Sequence, residues 1–478
     1  MLYVGNSSDQ DVYLLRHLPF DDRNRFGHAN WRVCKALAHE ITPAYFTSYP
    51  NELLDAAPGI YNVERVDKVV EPYQSQLLDL YYIRLEAAIS AGSVPASLLG
   101  AIYCSALPYW DYSPSLVGKT AFDDEWLRED VFQSVLQEAK TPSLYTIQAM
   151  LLYMQLPPQH VREPNHPGFW PLTNQLVGLA QETGLHIDPA NWDIASSERH
   201  HRRVLWWAVY MHDKWLAHWL GRPSHIDDRQ FSTAPLTMED FTNMSSHPLD
   251  IQYWESVSLF VKLSRLTTVL STVLDQFYTV NRSSSVMTPE EALSRAGHCQ
   301  AQLKDVLEQQ GSILLHPSRG INSVYTKSVL PAIVADYAAL DYVFVFAYYG
   351  IAVSIQRALF ACAGGTSYYD IEREMILFHQ LFATIEDLLC QNDLVGLWLS
   401  YCKSNIAIIG SFMVTALLAS TDDKVYQLRQ GALEEFRRLL QRAEGRFEFA
   451  ALPLLRLNLL VERFTDSRAS LESPSEVF

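Results

Sequence analysis

The chain has 478 residues, of which 48% are hydrophobic and 12% aromatic, and its 37 basic and 54 acidic side chains give a formal net charge of −17. A chain this long and this apolar can bury a large core, so the composition argues against a disordered protein. A surface this acidic repels phosphate backbones, so it also argues against broad binding of DNA or RNA by these residues.

Helical periodicity dominates the sequence, and no apolar–polar alternation of period two runs for more than a few residues. Gly184 and Gly221 are predicted to end two of the helices as left-handed caps. Proline and serine residues indicate where several of the helices start. The first half of the chain predicts helices that open at Leu77, cover 98–110, run from 141 to 157, run from Pro171 to Gly184, and run from Ser196 or Ser197 to Gly221.

The second half of the chain predicts a loop over 235–250 and a long amphipathic helix over 251–280. Thr288 is a predicted N-cap, because Pro289 follows it at the first helical position and Glu291 comes three residues on. From Pro331 onward the sequence predicts three or four strongly apolar helices, interrupted at 364–365 and 421–423, with further helices over 424–445 and 452–464.

These elements predict an all-α fold, an extended multi-helix array forming one body with a division near residues 311–325. The domains expected are residues 1–310, a C-terminal helical part of the same body over 311–465, and a disordered tail over 466–478 that is rich in serine and glutamate.

The six cysteines are far apart and contain no Cys-x-x-Cys pair, which predicts buried, reduced thiols rather than a zinc site. We expect a soluble, intracellular chain, since the N-terminus lacks the basic region and long apolar stretch of a signal peptide. Two apolar segments, 342–356 and 406–420, are bounded by charges. Each falls short of the roughly 18 residues that a membrane span needs, so both are predicted to be buried core helices.

The densest pattern in the chain lies between Glu198 and Phe231. One interpretation makes its arginine pair a clamp for a ligand or a partner. The other has the arginines holding neighbouring helix ends through carboxylates or carbonyls, with the tryptophan pair in the core. The helical spacing and the Gly-Arg-Pro end favour the structural interpretation. The residues predicted to form this structural signature are Arg202, Arg203, Trp206, Trp207, Asp213, Gly221, Arg222 and Pro223.

Catalytic and metal-binding motifs are poorly represented. No GxSxG, HExxH, GxGxxG or P-loop pattern occurs. His212 and His218 are six residues apart, whereas two ligands on one helix face need a spacing of about four. Asp123-Asp124-Glu125 resembles the aspartate-rich motif of all-α terpene cyclases but lacks its third carboxylate, so a solvated acidic turn is predicted.

The signature and the residues before it resemble the middle homology region of fungal zinc-cluster transcription factors, of the xylanolytic-regulator type. The residues that carry the resemblance are Gly184-Leu185-His186, Trp192, Arg202-Arg203, Trp206-Trp207 and Gly221-Arg222-Pro223. It extends over about residues 1–310. Members of that family bind DNA through an N-terminal cluster of six cysteines and two zinc ions. Here the cysteine spacing cannot form that cluster, so no cofactor is expected in this chain and DNA binding is expected only through a module outside it.

The resemblance implies a regulator of transcription of RNA polymerase II genes, acting in the nucleus as an effector-responsive regulatory domain, and not an enzyme. Its implied partners are the transcription machinery or a related transcription factor, in a homo- or heterodimer, and a small-molecule effector, with no membrane partner. Two alternatives remain open: a stand-alone co-regulator that dimerises with a full-length relative, and an all-α enzyme with an apolar pocket. The aromatic side chains that would line such a pocket are Tyr337, Tyr342, Phe344, Tyr348 and Tyr349.

Overall fold

A computed structural model describes residues 2–4, 19–28, 31–36, 45–48, 70, 73, 94–112, 115–156, 168–242, 251–279, 287–308, 339–363, 370–390 and 400–472. Within these residues the fold is predominantly α-helical, which confirms the predicted class. The twelve α-helices of the described part are α1 Ala96–Ala106, α2 Glu125–Glu138, α3 Leu144–Gln155, α4 Phe169–Glu182, α5 Ser196–Leu220, α6 Ile251–Val273, α7 Pro289–Glu308, α8 Ala339–Ala363, α9 Ile371–Cys390, α10 Ser400–Leu418, α11 Asp423–Glu444 and α12 Glu448–Glu472.

Shorter helical turns connect several of these helices. Three 3-10 helices cover Leu107–Tyr112, Pro189–Asn191 and Met238–Phe241, and a π-helical turn over Leu274–Tyr278 continues α6. The Met238–Phe241 turn lies inside the segment predicted as a loop, and residues 243–250 of that segment lie outside the described residues.

A small antiparallel sheet near the N-terminus departs from the all-α prediction. Its strands are β1 Leu2–Val4, β2 Arg25–His28, β3 Trp31–Lys35 and β4 Tyr45–Ser48, in the order β1-β4-β3-β2. The strands have only three to five residues each, too few for a period-two pattern to stand out in the sequence.

The chain divides into two compact units. Unit 1 comprises residues 1–158, 166–213 and 225–248, and unit 2 comprises residues 159–165, 214–224 and 249–478. A single hydrophobic core rarely grows beyond about 250–300 residues, so a division into two compact units suits a chain of this size. The predicted division near 311–325 lies outside the described residues.

The helix caps that the sequence predicts are mostly in place. The Thr288 hydroxyl accepts a hydrogen bond from the Glu291 N–H at 3.2 Å, and α7 starts at Pro289 as expected. Helix α5 begins at Ser196, one residue earlier than a serine cap would allow, and α4 begins two residues before Pro171. At the C-terminus, α12 continues to Glu472, whereas the sequence predicts disorder from 466; residues 473–478 lie outside the described residues.

The apolar helices of unit 2 are longer than the sequence indicates. Within the described residues, three stretches are long and apolar enough to cross a membrane by length and composition: Tyr253–Tyr278, Tyr342–Cys362 and Tyr401–Leu418. The second contains the segment 342–356 and the third covers residues 406–418 of the segment 406–420, both of which were expected to be too short. The expectation fails because α8 continues past the charged residues at both ends of the first segment, and α10 begins before Lys403, which precedes the second. In the second stretch 83% of the most apolar window is buried inside the structure, so it forms core as predicted.

Candidate functional site

The paired tryptophans of α5 lie in the core of unit 1. Trp206 has no exposed surface, and its ring lies 6.2 Å from that of His186 and 5.4 Å from that of Phe231. Trp207 is also buried, and its indole N–H donates to the Ala234 carbonyl at 2.8 Å. Both indoles thus pack α5 against the segment that follows it.

Arg203 joins two carboxylates from separate parts of unit 1. Its Nη1 donates to Asp240 Oδ1 at 2.5 Å, and its Nη2 donates to Asp188 Oδ1 at 3.2 Å. Each carboxylate also holds backbone, since Asp188 Oδ2 accepts from the Ala234 N–H at 2.6 Å and Asp240 Oδ2 from the Thr237 N–H at 2.9 Å. One guanidinium therefore cross-links three chain segments.

The charge state of Arg203 follows from this arrangement. Burial alone lowers the pKa of Arg203, but hydrogen bonds and charge from Asp240 and Asp188 outweigh that effect and raise the pKa above its usual value. The side chain is a fixed cation whose Nη1 and Nη2 are paired with carboxylates inside the unit, which is the behaviour of a structural ion cluster.

Arg202 contacts a different set of groups. Its Nη1 donates to the Thr183 carbonyl at 3.0 Å, close to the end of α4, and its Nε donates to Glu198 at 3.0 Å. The guanidinium carbon lies 5.3 Å from the Trp192 ring and 5.8 Å from the Phe46 ring, within cation–π range. Phe46 belongs to β4, so Arg202 also helps to hold the N-terminal sheet in unit 1.

Gly184 lies against the rings of Phe46 and Trp192, where only a glycine fits. It adopts a φ of +76°, and a Cβ there would lie 3.1 Å from the Phe46 ring and 3.3 Å from the Trp192 ring. A residue with a side chain would be strained and crowded at this position. The predicted left-handed cap is therefore present, and it also makes room for Phe46.

Asp213 is fully buried and anchors the backbone that returns to unit 1. Its Oδ1 accepts from the His225 N–H at 3.0 Å and lies 2.9 Å from His225 Nδ1, while its Oδ2 accepts from the Ile226 N–H at 3.0 Å. All three donors come from the segment after α5 and the carboxylate has no exposed surface, so Asp213 serves the fold and is not presented to a substrate.

The Gly-Arg-Pro segment ends α5. Gly221 has a φ of +62°, and the Arg222 N–H donates to the Ala217 carbonyl at 3.0 Å, as in a Schellman cap. Arg222 and Pro223 are exposed. The structure thus places the signature residues in two groups: Arg202, Arg203, Trp206, Trp207 and Asp213 in unit 1, and Gly221, Arg222 and Pro223 in unit 2.

Sequence reasoning missed the partners of the arginines. Asp188 and Asp240 lie 15 and 37 residues from Arg203, and no local pattern connects residues that far apart. A signal for each does exist, however. Asp188 precedes a proline that starts a short helix, and Asp240 completes a Thr-x-x-Asp capping box with Thr237.

The apolar pocket of the alternative enzyme does not form from the residues named for it. Tyr342, Phe344 and Tyr349 are buried in the core of unit 2, and the Tyr342 hydroxyl donates to Asp387 at 2.7 Å. Tyr348 does line a cavity, and Tyr337 lies outside the described residues. Among the described residues no group of three His, Cys, Asp or Glu side chains is placed to hold a metal ion.

His212 is a buried histidine held in its neutral form. Burial lowers the pKa of His212 to about 4, against a smaller opposing effect of Asp213. The Gln155 amide donates toward Nδ1, 3.1 Å away, and Nε2 lies 3.2 Å from the Thr173 hydroxyl. That hydroxyl in turn donates to the Phe169 carbonyl at 2.8 Å, so Nε2 carries the proton and Nδ1 is an acceptor.

We expect this histidine to make stability depend on pH. Unfolding restores its ordinary pKa of about 6.5, so the unfolded chain binds one more proton between about pH 6.5 and 4, and the native state loses about 3 kcal/mol over that window as the pH falls. Urea unfolding at several pH values should show a shallower slope in His212→Gln than in the wild type.

A matched control for the pH measurement is His298→Gln, which changes an exposed histidine on α7 and should leave the slope unchanged. A residual slope is expected in both variants, because burial also lowers the pKa of His218 in unit 2 to about 4. An unaltered slope in His212→Gln would contradict a neutral, buried His212.

Comparison with known proteins assigns the segment that contains this site. Residues 73–307 match the fungal specific transcription factor domain. An uncharacterized transcriptional regulatory protein of Schizosaccharomyces pombe is 29% identical over 297 residues, which cover 58% of this chain and 44% of that protein. The transcriptional activator protein DAL81 of Saccharomyces cerevisiae is 23% identical over 358 residues, 63% of this chain and 36% of DAL81.

A shorter match of 29% identity over 92 residues links 19% of this chain to 10% of pyrimidine pathway regulatory protein 1 of S. cerevisiae. No solved structure matches the chain. The chain spans less than half the length of the first two relatives, 44% and 36% respectively.

Proposed function

We propose that the protein regulates transcription in the nucleus, as the effector-responsive regulatory part of a fungal transcription factor, because residues 73–307 match the fungal specific transcription factor domain. Relatives described as a transcriptional activator and a transcriptional regulatory protein support this proposal.

The observation that carries the proposal is that the signature side chains are bonded or packed within the fold. Arg202, Arg203 and Asp213 bond to groups within unit 1, and Trp206 and Trp207 fill its core. A site built for catalysis would instead present a nucleophile, a base or an oxyanion donor to a substrate. The arrangement favours a stable helical scaffold over an enzyme.

We propose that DNA is contacted through a separate module, since a net charge of −17 disfavours phosphate binding by these residues. Because the six cysteines contain no Cys-x-x-Cys pair, we also propose that these residues bind no cofactor of their own. The partners we propose are the transcription machinery or a related transcription factor, the latter in a homo- or heterodimer, together with a small-molecule effector.

A tethered reporter assay tests the proposed function. The chain is fused to a heterologous DNA-binding domain in a fungal host, and expression of a reporter behind the matching operator is compared with that given by the DNA-binding domain alone. We expect a several-fold change in reporter expression and a nuclear fluorescent fusion. A Trp206→Ala fusion should lose the effect because unit 1 loses its core contact.

The decisive comparison uses fusions present at equal levels in the nucleus. If the wild-type fusion and the bare DNA-binding domain then give the same reporter expression, the chain has no regulatory activity of its own and the proposal fails. A change that appears only when a full-length relative is co-expressed would identify the co-regulator alternative.

A further inference from the structure

A cavity of about 300 Å³ lies in unit 2, between helices α7, α8 and α9. Its floor is apolar, with Leu303 and Leu307 from α7 and Leu377 from α9. The polar side chains in its wall are Gln300, Lys304, Tyr348, Gln356 and Arg373. A concave site with an apolar floor and a few convergent polar groups is the usual form of a small-molecule site.

The charged side chains in the cavity wall are basic, whereas the protein as a whole is acidic. Two cations, Lys304 and Arg373, line the cavity, and no carboxylate does so among the described residues, although the chain carries a net charge of −17. Lys304 is mostly exposed and pairs with Glu308 at 3.3 Å. Asp370 accepts from the backbone N–H of Arg373 at 3.0 Å rather than from its guanidinium.

Arg373 lacks the carboxylate hydrogen bonds that Arg203 and Arg429 make. Its Nε is buried without a hydrogen-bond partner, and within the described part of the chain its guanidinium forms no hydrogen bond or ion pair. Burial lowers the pKa of Arg373, against the opposing charges of Asp370 and Tyr348. An arginine nevertheless stays charged in a protein, so this one is a cation at the cavity wall whose Nε has no hydrogen-bond partner within the described residues.

Two further polar side chains belong to the same cavity wall. Gln356 and Tyr348 line the cavity beside Arg373 and are each only 3% exposed. Buried polar groups in native proteins are normally hydrogen-bonded. A ligand in the cavity would offer an acceptor to the unpartnered Arg373 Nε and would lie within reach of Gln356 and Tyr348 in the same wall.

We propose that this cavity binds a small organic anion that carries a carboxylate on an apolar body. The carboxylate pairs with the Arg373 guanidinium, whose planar fork matches two carboxylate oxygens. The Tyr348 hydroxyl and the Gln356 amide donate further hydrogen bonds. The apolar body lies on Leu303, Leu307 and Leu377. The role of this anion as the effector rests on the proposed function, whereas its binding does not.

Calorimetric titration of the purified full chain tests the site, with 4-phenylbutanoate as the probe. The neutral control ligand is 4-phenylbutan-1-ol, which has the same apolar body. We expect the carboxylate to bind at least about tenfold more tightly than the alcohol, and Arg373→Gln to abolish this preference, since a charge-assisted pair contributes about tenfold or more. Arg373→Lys, which keeps the charge without the fork, should retain part of the preference.

The matched control is Arg442→Gln, an exposed arginine on α11 that lies outside the cavity and should bind the carboxylate as the wild type does. Thermal unfolding of each variant verifies that the fold is kept. The proposal is overturned if the carboxylate and the alcohol bind equally, if Arg373→Gln binds normally, or if no probe binds up to about 10 mM, the weak end of useful affinities. Tighter binding of 3-phenylpropyl phosphate would overturn the assignment to a carboxylate.

The reporter assay separates this proposal from the function on which the effector role depends. If the wild-type fusion regulates the reporter but Arg373→Gln does so identically under every growth condition, the effector role is overturned. A wild-type fusion without regulatory activity overturns the proposed function alone, while the calorimetry still decides whether the cavity binds an anion.

Discussion

Arg429→Met is expected to lower the free energy of unfolding by about 3–5 kcal/mol, because it leaves a buried glutamate without its cation. Glu374 and Arg429 lie in unit 2 and are 0% and 4% exposed. Arg429 Nε donates to Glu374 Oε1 at 2.9 Å and Nη2 donates to Oε2 at 2.7 Å, a bidentate pair. Nη1 also donates to the Ala416 carbonyl at 2.8 Å, near the end of α10.

Urea unfolding followed by circular dichroism measures this loss. Arg438→Met is the matched control, since it removes an exposed arginine from the same helix and should cost less than about 0.5 kcal/mol. Adding Glu374→Leu to Arg429→Met should recover part of the stability, because an apolar pair can replace a buried ion pair. An Arg429→Met protein as stable as the Arg438→Met control would show that Glu374 is not left uncompensated.

Trp206→Ala is expected to cost a similar amount, about 3–5 kcal/mol, through the cavity it leaves in unit 1. Trp206 has no exposed surface, and its ring packs against His186 and Phe231. Its indole N–H is buried without a hydrogen-bond partner. The side chain therefore stabilises the unit through packing alone, and no hydrogen bond has to be replaced.

Because the Trp206 indole makes no hydrogen bond, a substitution by phenylalanine can serve as a control that changes packing only. Trp206→Phe keeps an aromatic ring and loses no hydrogen bond, so it should retain clearly more stability than Trp206→Ala in the same urea titration. Trp126→Ala, at a half-buried tryptophan of α2, should cost less than Trp206→Ala. Equal stability of Trp206→Ala and the wild type would be incompatible with a core position.

The sequence predicts the local features of this fold well, because they depend on residues close together in the chain. The N-cap at Thr288 and the left-handed caps at Gly184 and Gly221 each follow from one turn of backbone geometry. The order of the C-terminal helices also follows from apolar periodicity. The same reasoning predicts that Trp206 and Trp207 lie on two adjacent stripes along α5.

Features that depend on distant residues could not be predicted in this way. The Asp188 and Asp240 partners of Arg203 are brought to it by the tertiary fold, and so is Glu374 to Arg429, 55 residues away. The division into two units depends on which apolar faces meet. Periodicity shows that a helix face is buried, but not which other face covers it.

The residues that line the cavity could not be predicted from the sequence either. An aromatic run in α8 suggested a pocket, but most of that run is ordinary core, since α8 is apolar around its whole circumference. The polar residues that define the wall come from three helices and include Gln300 and Arg373, which belong to no motif. Only the fold places them around one space.

Helix α5 supplies residues to both units, with 196–213 in unit 1 and 214–220 in unit 2. Within unit 2, Trp215 stacks on Tyr401 at 4.8 Å and its indole N–H donates to Thr267 at 3.0 Å. A gene fragment starting at residue 249 would encode neither Trp215 nor its helix, and its product would expose the Tyr401 ring. Recombination between related genes therefore cannot exchange the second unit as an uninterrupted cassette, and the two units are expected to be inherited together.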